Sequence, residues 1–441
     1  MKKMVVENVR AIGLVALSCL VLATPARGDG TVYAMTNALG ANQIKVYHRA
    51  ADGTLSLIQT ADTSGGGSGT QLDASDSLGS QGALVLDTGH KHLFAVNTET
   101  SYTLSPTDDI KKGDCNVGSI SSFQVAADGT LTLIEKVASG GFFPNSLTVD
   151  SSQNLLYVLN AGGPGKNPVC AHGPNIAGFK VKGGYLSPMG KSKQPLDPGA
   201  NPGGGFNCVG NGPFATADFQ CGLNPPAFPR SPGQIGFAPG GSQLVVTVKG
   251  TNSIYVFPVG RTGRAGTPTI LKSQSGPNLP TYFGFAFDQR GFLIVSEPFG
   301  RTPVIPAAPF SSASSFSMST SGFMQPVSAS VANGRGTSCW VVVYNQYAYT
   351  SNNNTSDVSL YKIAGDGTLS LTDASAAKTP GNPNDMAIAV DPDNGSAFLY
   401  VLESGLGNVG VFKIAANGTL TSVQSASGLP VNAGAQGLAA Y

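Results

Sequence analysis

The sequence predicts an all-β ring of seven four-stranded antiparallel blades, and three observations predict it. A short phrase returns along the 441 residues: Ala51-Asp52-Gly53-Thr54-Leu55, Ala127-Asp128-Gly129-Thr130-Leu131, Gly365-Asp366-Gly367-Thr368-Leu369 and Ala416-Asn417-Gly418-Thr419-Leu420, with a weaker copy at Lys182-Gly183-Gly184-Tyr185-Leu186. A second hairpin pattern recurs upstream of it. The second strand of that hairpin is apolar on nearly every residue, as in Leu156-Tyr157-Val158-Leu159. Self-similarity at a spacing of tens of residues marks a repeat architecture.

Each element follows from local chemistry. Asp-Gly and Asn-Gly supply the positive backbone angles of a tight hairpin turn, and alternating apolar residues continue from it. A strand precedes each turn, as at Ile44-Lys45-Val46-Tyr47, Ser122-Phe123-Gln124-Val125, Val358-Ser359-Leu360-Tyr361 and Val409-Gly410-Val411-Phe412. Upstream, Leu84-Val85-Leu86-Asp87 pairs across a turn with Leu93-Phe94-Ala95-Val96-Asn97, and Ala387-Ile388-Ala389-Val390 with Leu399-Tyr400-Val401-Leu402. Continuous apolar runs suit strands covered on both faces. Four-stranded sheets stacked face to face around an axis are propeller blades.

The seven units run over residues 31–60, 82–140, 143–193, 231–272, 282–327, 336–379 and 381–430. The fifth has a Ser-rich second half and no Asp-Gly turn. The first lacks its opening strand, and the C-terminal Gln436-Gly437-Leu438-Ala439-Ala440-Tyr441 resembles that strand. The last strand is therefore expected to close the ring and leave no open sheet edge.

Charged residues make up 12% of the chain, against about 25% in ordinary soluble domains. With 26 basic and 25 acidic residues, there is no net field to gather nucleic acid or an anionic membrane. Residues 1–28 read as a signal peptide: Lys2, Lys3 and Arg10, then an apolar run over 11–23, then small residues near Ala26 and Gly28. The expectation is a secreted or periplasmic monomer in which residues 29–441 form one propeller domain. Export permits disulfides. Cys208 and Cys221 are placed to close a short loop, Cys115 and Cys170 to meet across blades, and Cys339 to be a buried thiol. No cysteine or histidine spacing predicts a metal site.

Long insertions at about 101–118, 161–175, 192–230 and 300–312 all fall on one face of the ring, opposite the Asp-Gly turns. Long loops on one side of a rigid scaffold are where binding concentrates. The second strands end at Asn37, Asn97, Asn160 and Asn352, with Glu297, Glu403 and Lys249 at the corresponding places. Asn there stabilises turns. The charged replacements are expected to point into a central funnel, where Glu297 acts as general base. His172, in the inserted Cys170-Ala171-His172 loop, is a candidate acid or base. Arg230 and Arg301 flank the same face and suit a carboxylate.

The phrases Leu93-Phe94-Ala95-Val96-Asn97 and Leu156-Tyr157-Val158-Leu159-Asn160, with the Asp-Gly-Thr-Leu hairpins, resemble the seven-bladed propeller lactonases, the family of 6-phosphogluconolactonase and carboxy-cis,cis-muconate cyclase. The resemblance spans nearly the whole chain after residue 28. It implies hydrolysis of a small lactone, or the related cyclisation, without a cofactor. Val295-Ser296-Glu297 is similar to the family's Asn-Glu at a second-strand end, with Ser in place of Asn. The family's Pro-His and Pro-Arg pairs correspond to Pro232-Gly233 and Tyr282-Phe283, so His172, Arg230 or Arg301 would replace them. The resemblance thus implies Glu297, His172 and Arg301 as catalytic. Arg230, Asn97, Asn160, Lys249, Glu403 and Asn352 are expected to bind substrate. The competing expectation is a non-catalytic exported propeller that binds a glycan, peptide or cell-wall component.

Overall fold

Each recurrent phrase folds as the turn between the third and fourth strands of a blade. In a computed structural model, which describes residues 1, 29–70, 75–99, 118–162, 173–196, 231–272, 281–298 and 311–441, seven antiparallel sheets form the ring. Blade 1 joins Leu438–Ala440 to Gly30–Met35, Gln43–Arg49 and Leu55–Asp62. Blade 2 is Leu84–Leu86, His92–Asn97, Ser119–Val125 and Leu131–Ala138. Blade 3 is Pro144–Asp150, Leu155–Asn160, Asn175–Lys182 and Tyr185–Pro188, with Gln194–Pro195 added to its third strand. Blade 4 is Pro232–Phe237, Gln243–Val248, Ser253–Pro258 and Thr269–Lys272. Blade 5 is Phe285–Phe287, Leu293–Glu297, Ser312–Met318 and Met324–Ala332. Blade 6 is Ser338–Tyr344, Tyr347–Asn352, Asp357–Ile363 and Leu369–Lys378. Blade 7 is Pro383–Val390, Ala397–Glu403, Asn408–Ile414 and Leu420–Ser427. Among the described residues the one helical element is the 3-10 turn Lys249–Thr251.

The ring closes as the C-terminal phrase predicts. Val32 pairs with Ala440, Tyr33 with Ala439 and Ala34 with Leu438. Arg49, 1% exposed, donates from Nε to the Tyr441 carbonyl at 3.0 Å and pins the joint. The blade 5 hairpin turns at Ser319 to Phe323, where Gly322 takes φ +81°.

The phrase Asp-Gly-Thr has a physical reason at each position. Asp52 Oδ1 accepts from the Thr54 amide at 2.9 Å and hydroxyl at 2.7 Å, and Asp128 repeats this with Thr130. The glycine sits at positive φ, +82° at Gly418, which only glycine adopts without strain. Its carbonyl receives the second-strand tyrosine of the neighbouring blade: Tyr33 to Gly129 at 2.8 Å, Tyr349 to Gly418 at 2.8 Å and Tyr400 to Gly53 at 3.3 Å, and Tyr157 does the same at 2.7 Å to Gly263 in the blade 4 turn, which lacks the phrase. The repeat is thus also an inter-blade latch. Burial raises these phenols, Tyr157 to about 12. A buried hydrogen bond of this kind contributes about 1 kcal/mol, so Tyr349→Phe is expected to lower unfolding free energy by roughly that amount in urea titration, with an unchanged denaturant slope.

The first strands line the axis, and those of adjacent blades touch around most of the ring. The second strands lie one layer out and are buried from end to end, as in Leu155–Asn160, Gln243–Val248 and Ala397–Glu403. This corrects the expectation that second-strand ends face the funnel.

Candidate functional site

All four predicted insertions join strand ends at one end of the ring, as the strand order requires. The Asp-Gly turns lie at the other. His172, Arg230 and Arg301, together with Cys115, Cys170, Cys208 and Cys221, lie outside the described residues. Cys339 is buried, 1% exposed.

The remaining predicted site residues are buried in the blades. Glu297 is fully buried. It faces its cross-strand partner Ser312 and the next residue on the same side of the sheet, Ser314, and both hydroxyls donate to its carboxylate, Ser314 at 2.5 Å. Its carboxylate is therefore turned outward along the blade, away from the axis. Glu403 is 1% exposed, accepts from Ser425 at 3.2 Å, and burial raises its carboxyl above the usual range. Asn97 donates to Ser121 at 2.8 Å and accepts from Thr63 of blade 1 at 2.7 Å. Asn160 accepts from Ser139 at 2.7 Å, and Asn352 from Asn333 at 3.1 Å. Thr63, Ser139 and Asn333 each follow the fourth strand of the preceding blade. The asparagines are polar staples between blades, and their amides are occupied there rather than offered to a ligand. Asn37 is tied likewise to Ser68 and Ser77, both at 2.8 Å.

Among the described residues, the axis is closed at the end that carries the insertions. Residues 75–81, from the connection between blades 1 and 2, cross the axis and plug it. The Ser75 carbonyl accepts from Asn353 of blade 6 at 3.3 Å and Asn384 of blade 7 at 3.2 Å. Gln436 of blade 1 takes the Leu78 amide at 2.8 Å and donates to Asp76 at 3.0 Å and to the Ser80 carbonyl at 2.6 Å. Trp340 Nε1 of blade 6 donates to the Ser80 carbonyl at 2.9 Å. Ser80 donates to the Asn145 carbonyl of blade 3 at 2.6 Å, and the Gln81 amide to Gly233 of blade 4 at 3.0 Å. Lys249 donates to the Gly79 carbonyl and lies 4.6 Å over the Phe283 ring. Burial lowers its ammonium to about 8, against the pull of Asp76. Lys249, expected to hold substrate, anchors the plug.

Below the plug the first strands enclose a cavity of about 270 Å³. Burial along these strands falls from one end to the other. Asn145, Ser338, Asn384 and Gln436 are fully buried at the plugged end. Val85, Thr148, Gly236, Phe237, Phe287, Val342 and Ile388 are half-buried toward the turns. The channel therefore opens at the turn-bearing end.

Its walls are Val85, Leu147, Phe237, Phe285, Phe287 and Met386, with Thr148, Gln81 and Gln234 as polar groups and Asp385 as the one titratable side chain among the described residues. A β-bulge between Asn384 and Met386 places Asp385 at the axis with φ +25°. Bulges re-aim side chains in this way. Asp385 is 2% exposed. Its Oδ1 accepts from the Met386 amide at 3.0 Å, and Oδ2 makes no hydrogen bond. Burial pushes the carboxyl up to about 7, helped by Asp76 and opposed by the Met386, Leu438 and Gly437 amides. The Gln234 Oε1 accepts from the Phe285 amide at 2.6 Å, and its Nε2 carries two donors. Asp385 was not anticipated from the sequence. Its position in a bulge and beneath a plug has no local signature. Among the described residues no cluster of three or more His, Cys, Asp or Glu side chains is arranged to hold a metal ion.

The family described as "Lactonase, 7-bladed beta-propeller" matches residues 29–162. No curated protein matches the chain in sequence. A candidate 6-phosphogluconolactonase from Bacteroides fragilis superposes with TM-score 0.63 at 17% identity, over 95% of this chain and 99% of its own. The periplasmic gluconolactonase of Pseudomonas aeruginosa superposes with TM-score 0.60 at 15% identity, over 92% of this chain and 99% of its own. A Lactobacillus plantarum protein gives TM-score 0.62 at 15% identity, over 94% and 99%. At these identities the solved structures speak for the fold. The resemblance to the seven-bladed propeller lactonases, carried by the Asn-ended second strands and the Asp-Gly-Thr-Leu turns, thus recurs in the family match and, as fold, around the whole ring.

Proposed function

We propose that this chain is an exported hydrolase that opens a small lactone ring inside its central channel. The observation that carries the reading is Asp385: a bulge sets this buried carboxyl, raised by burial to about 7, on the floor of a cavity that has no other titratable side chain among the described residues. A base with its pKa near working pH combines the right protonation state with driving force for proton transfer. In this reading Asp385 takes a proton from water, and the water oxygen attacks the lactone carbonyl carbon. Thr148 and Gln234 donate to the developing oxyanion. The ring C–O bond then breaks, the ring oxygen takes the proton from Asp385, and a hydroxy acid leaves. The family match over residues 29–162 supports the reaction class. The basic, apolar and small-residue succession over 1–28 supports export.

The test is base consumption in a pH-stat over a panel of simple and carboxylated lactones. Asp385→Asn is expected to lose turnover. Glu297→Gln is expected to keep most of it, because Ser312 and Ser314 hold that side chain away from the channel. Equal rates for wild type and Asp385→Asn would overturn the assignment. A second reading, the non-catalytic propeller that binds a glycan, peptide or cell-wall component, is favoured by one observation: the plug separates the insertion-bearing face from the channel, so that face would act as a surface of its own.

A further inference from the structure

Resting on that reading, we infer that the substrate is an uncharged lactone bearing a short apolar substituent, and that it enters from the turn-bearing end. The cavity sets both conditions. Its walls bring together Val85, Leu147, Phe237, Phe285, Phe287 and Met386, and among the described residues no Lys, Arg or His lines it. Phosphate and carboxylate recognition relies on Arg, Lys or converging amide donors. Here a phosphorylated or carboxylated lactone would bring its negative charge into an apolar space beside Asp385, with no cation to receive it. Burying such a charge unpaired is strongly unfavourable.

The mouth carries both signs of charge. The turns that follow the first strands carry Asp87, Asp150, Asp288, Asp391 and Asp393 together with Lys91 and Arg290, and Asp288 and Asp391 are buried. Arg290 is taken by Asp288 at 2.6 Å, and His92 by Asp87 at 2.8 Å. The selection against an anion therefore rests on the cavity lining. The Lys249 ammonium is not available to an anion either, since it sits on the Gly79 carbonyl behind the plug. A volume of about 270 Å³ lies just under the usual lower bound for drug-sized ligands, which suits one small ring and a short chain. The aromatic rings at Phe285 and Phe287, edge to face at 6.0 Å, are placed to receive that chain.

The experiment compares kcat/KM of the full chain for three probes: a neutral alkyl-substituted δ-lactone, 6-phosphogluconolactone and a carboxylated lactone of the muconolactone type. Wild type, Asp385→Asn and Phe287→Lys are assayed in parallel. The neutral lactone is expected to be favoured by about 10²-fold or more, the scale of uncompensated like-charge juxtaposition. Phe287→Lys is expected to narrow that preference at least tenfold, by giving the anion a partner. If the charged lactones are opened as fast as the neutral one and all rates still depend on Asp385, the substrate inference fails and the hydrolase reading stands. If no lactone is opened, the hydrolase reading fails and the inference with it.

Discussion

Asp385→Asn is expected to lower lactone turnover by roughly 10²–10⁴-fold, the usual contribution of a positioned general base, while making the fold more stable at alkaline pH. The two effects have one cause. Burial raises the Asp385 carboxyl to about 7, so the folded chain holds its proton at pH values where the unfolded chain has released it. A carboxyl raised in the folded state favours folding below the ordinary carboxylate range. That contribution is lost as pH rises through about 7. The displacement corresponds to up to about 4 kcal/mol. Wild type should therefore lose stability between about pH 4 and pH 8, and the asparagine variant should not lose this part of it. The wild-type rate should rise over the upper part of the same window, as the base form appears. Thermal unfolding and pH-rate profiles of the two proteins check both halves. A variant that is less stable at pH 8, or a rate that falls through pH 7, would contradict the account.

Trp340→Ala is expected to cost about 3–5 kcal/mol, the range for deleting a large buried aromatic. Trp340 is fully buried and meets Phe283 edge to face at 5.5 Å. Its indole also supplies one of the two donors on the Ser80 carbonyl. Removal leaves a void against the plug and takes away one of blade 6's hydrogen bonds to it, leaving those of Asn353 and Val341. Urea unfolding should show the lower midpoint, and hydrogen exchange should show faster exchange of the Leu78 and Gln81 amides than of the second-strand amides in blades 1 and 2. Unchanged protection at Leu78 and Gln81 would mean that the plug is held without Trp340.

The ring was legible because its signals are local and repeated. Asp-Gly-Thr makes its own turn, the second strands are apolar throughout, and the C-terminal phrase matches the strand that the first blade lacks. The position of the site was not. The polar residues that end the second strands stand out in sequence, but the order of strands within a blade puts them one layer from the axis, where Ser312 and Ser314 take up Glu297 and Thr63 takes up Asn97. Serines that recur at those third-strand positions, Ser119 and Ser121, Ser312 and Ser314, were the available hint. The plug is harder to read. Residues 75–81 are mostly small and polar, and their partners Gln81 and Val341, or Ser80 and Gln436, lie hundreds of positions apart. One cue was the length of the stretch from residue 61 to 81, longer than two adjacent blades need.

The central claim is that the channel is sealed where the insertions lie and works from the opposite end. The direct measurement is a crystal structure of the full chain with a neutral lactam, the hydrolysis-resistant analogue of the lactone. The account predicts ring density between Phe237, Phe285 and Phe287, with the lactam carbonyl within hydrogen-bond reach of Gln234 or Thr148 and the Asp385 carboxyl beside it. A ligand seated among the long loops, with residues 75–81 displaced from the axis, would contradict it.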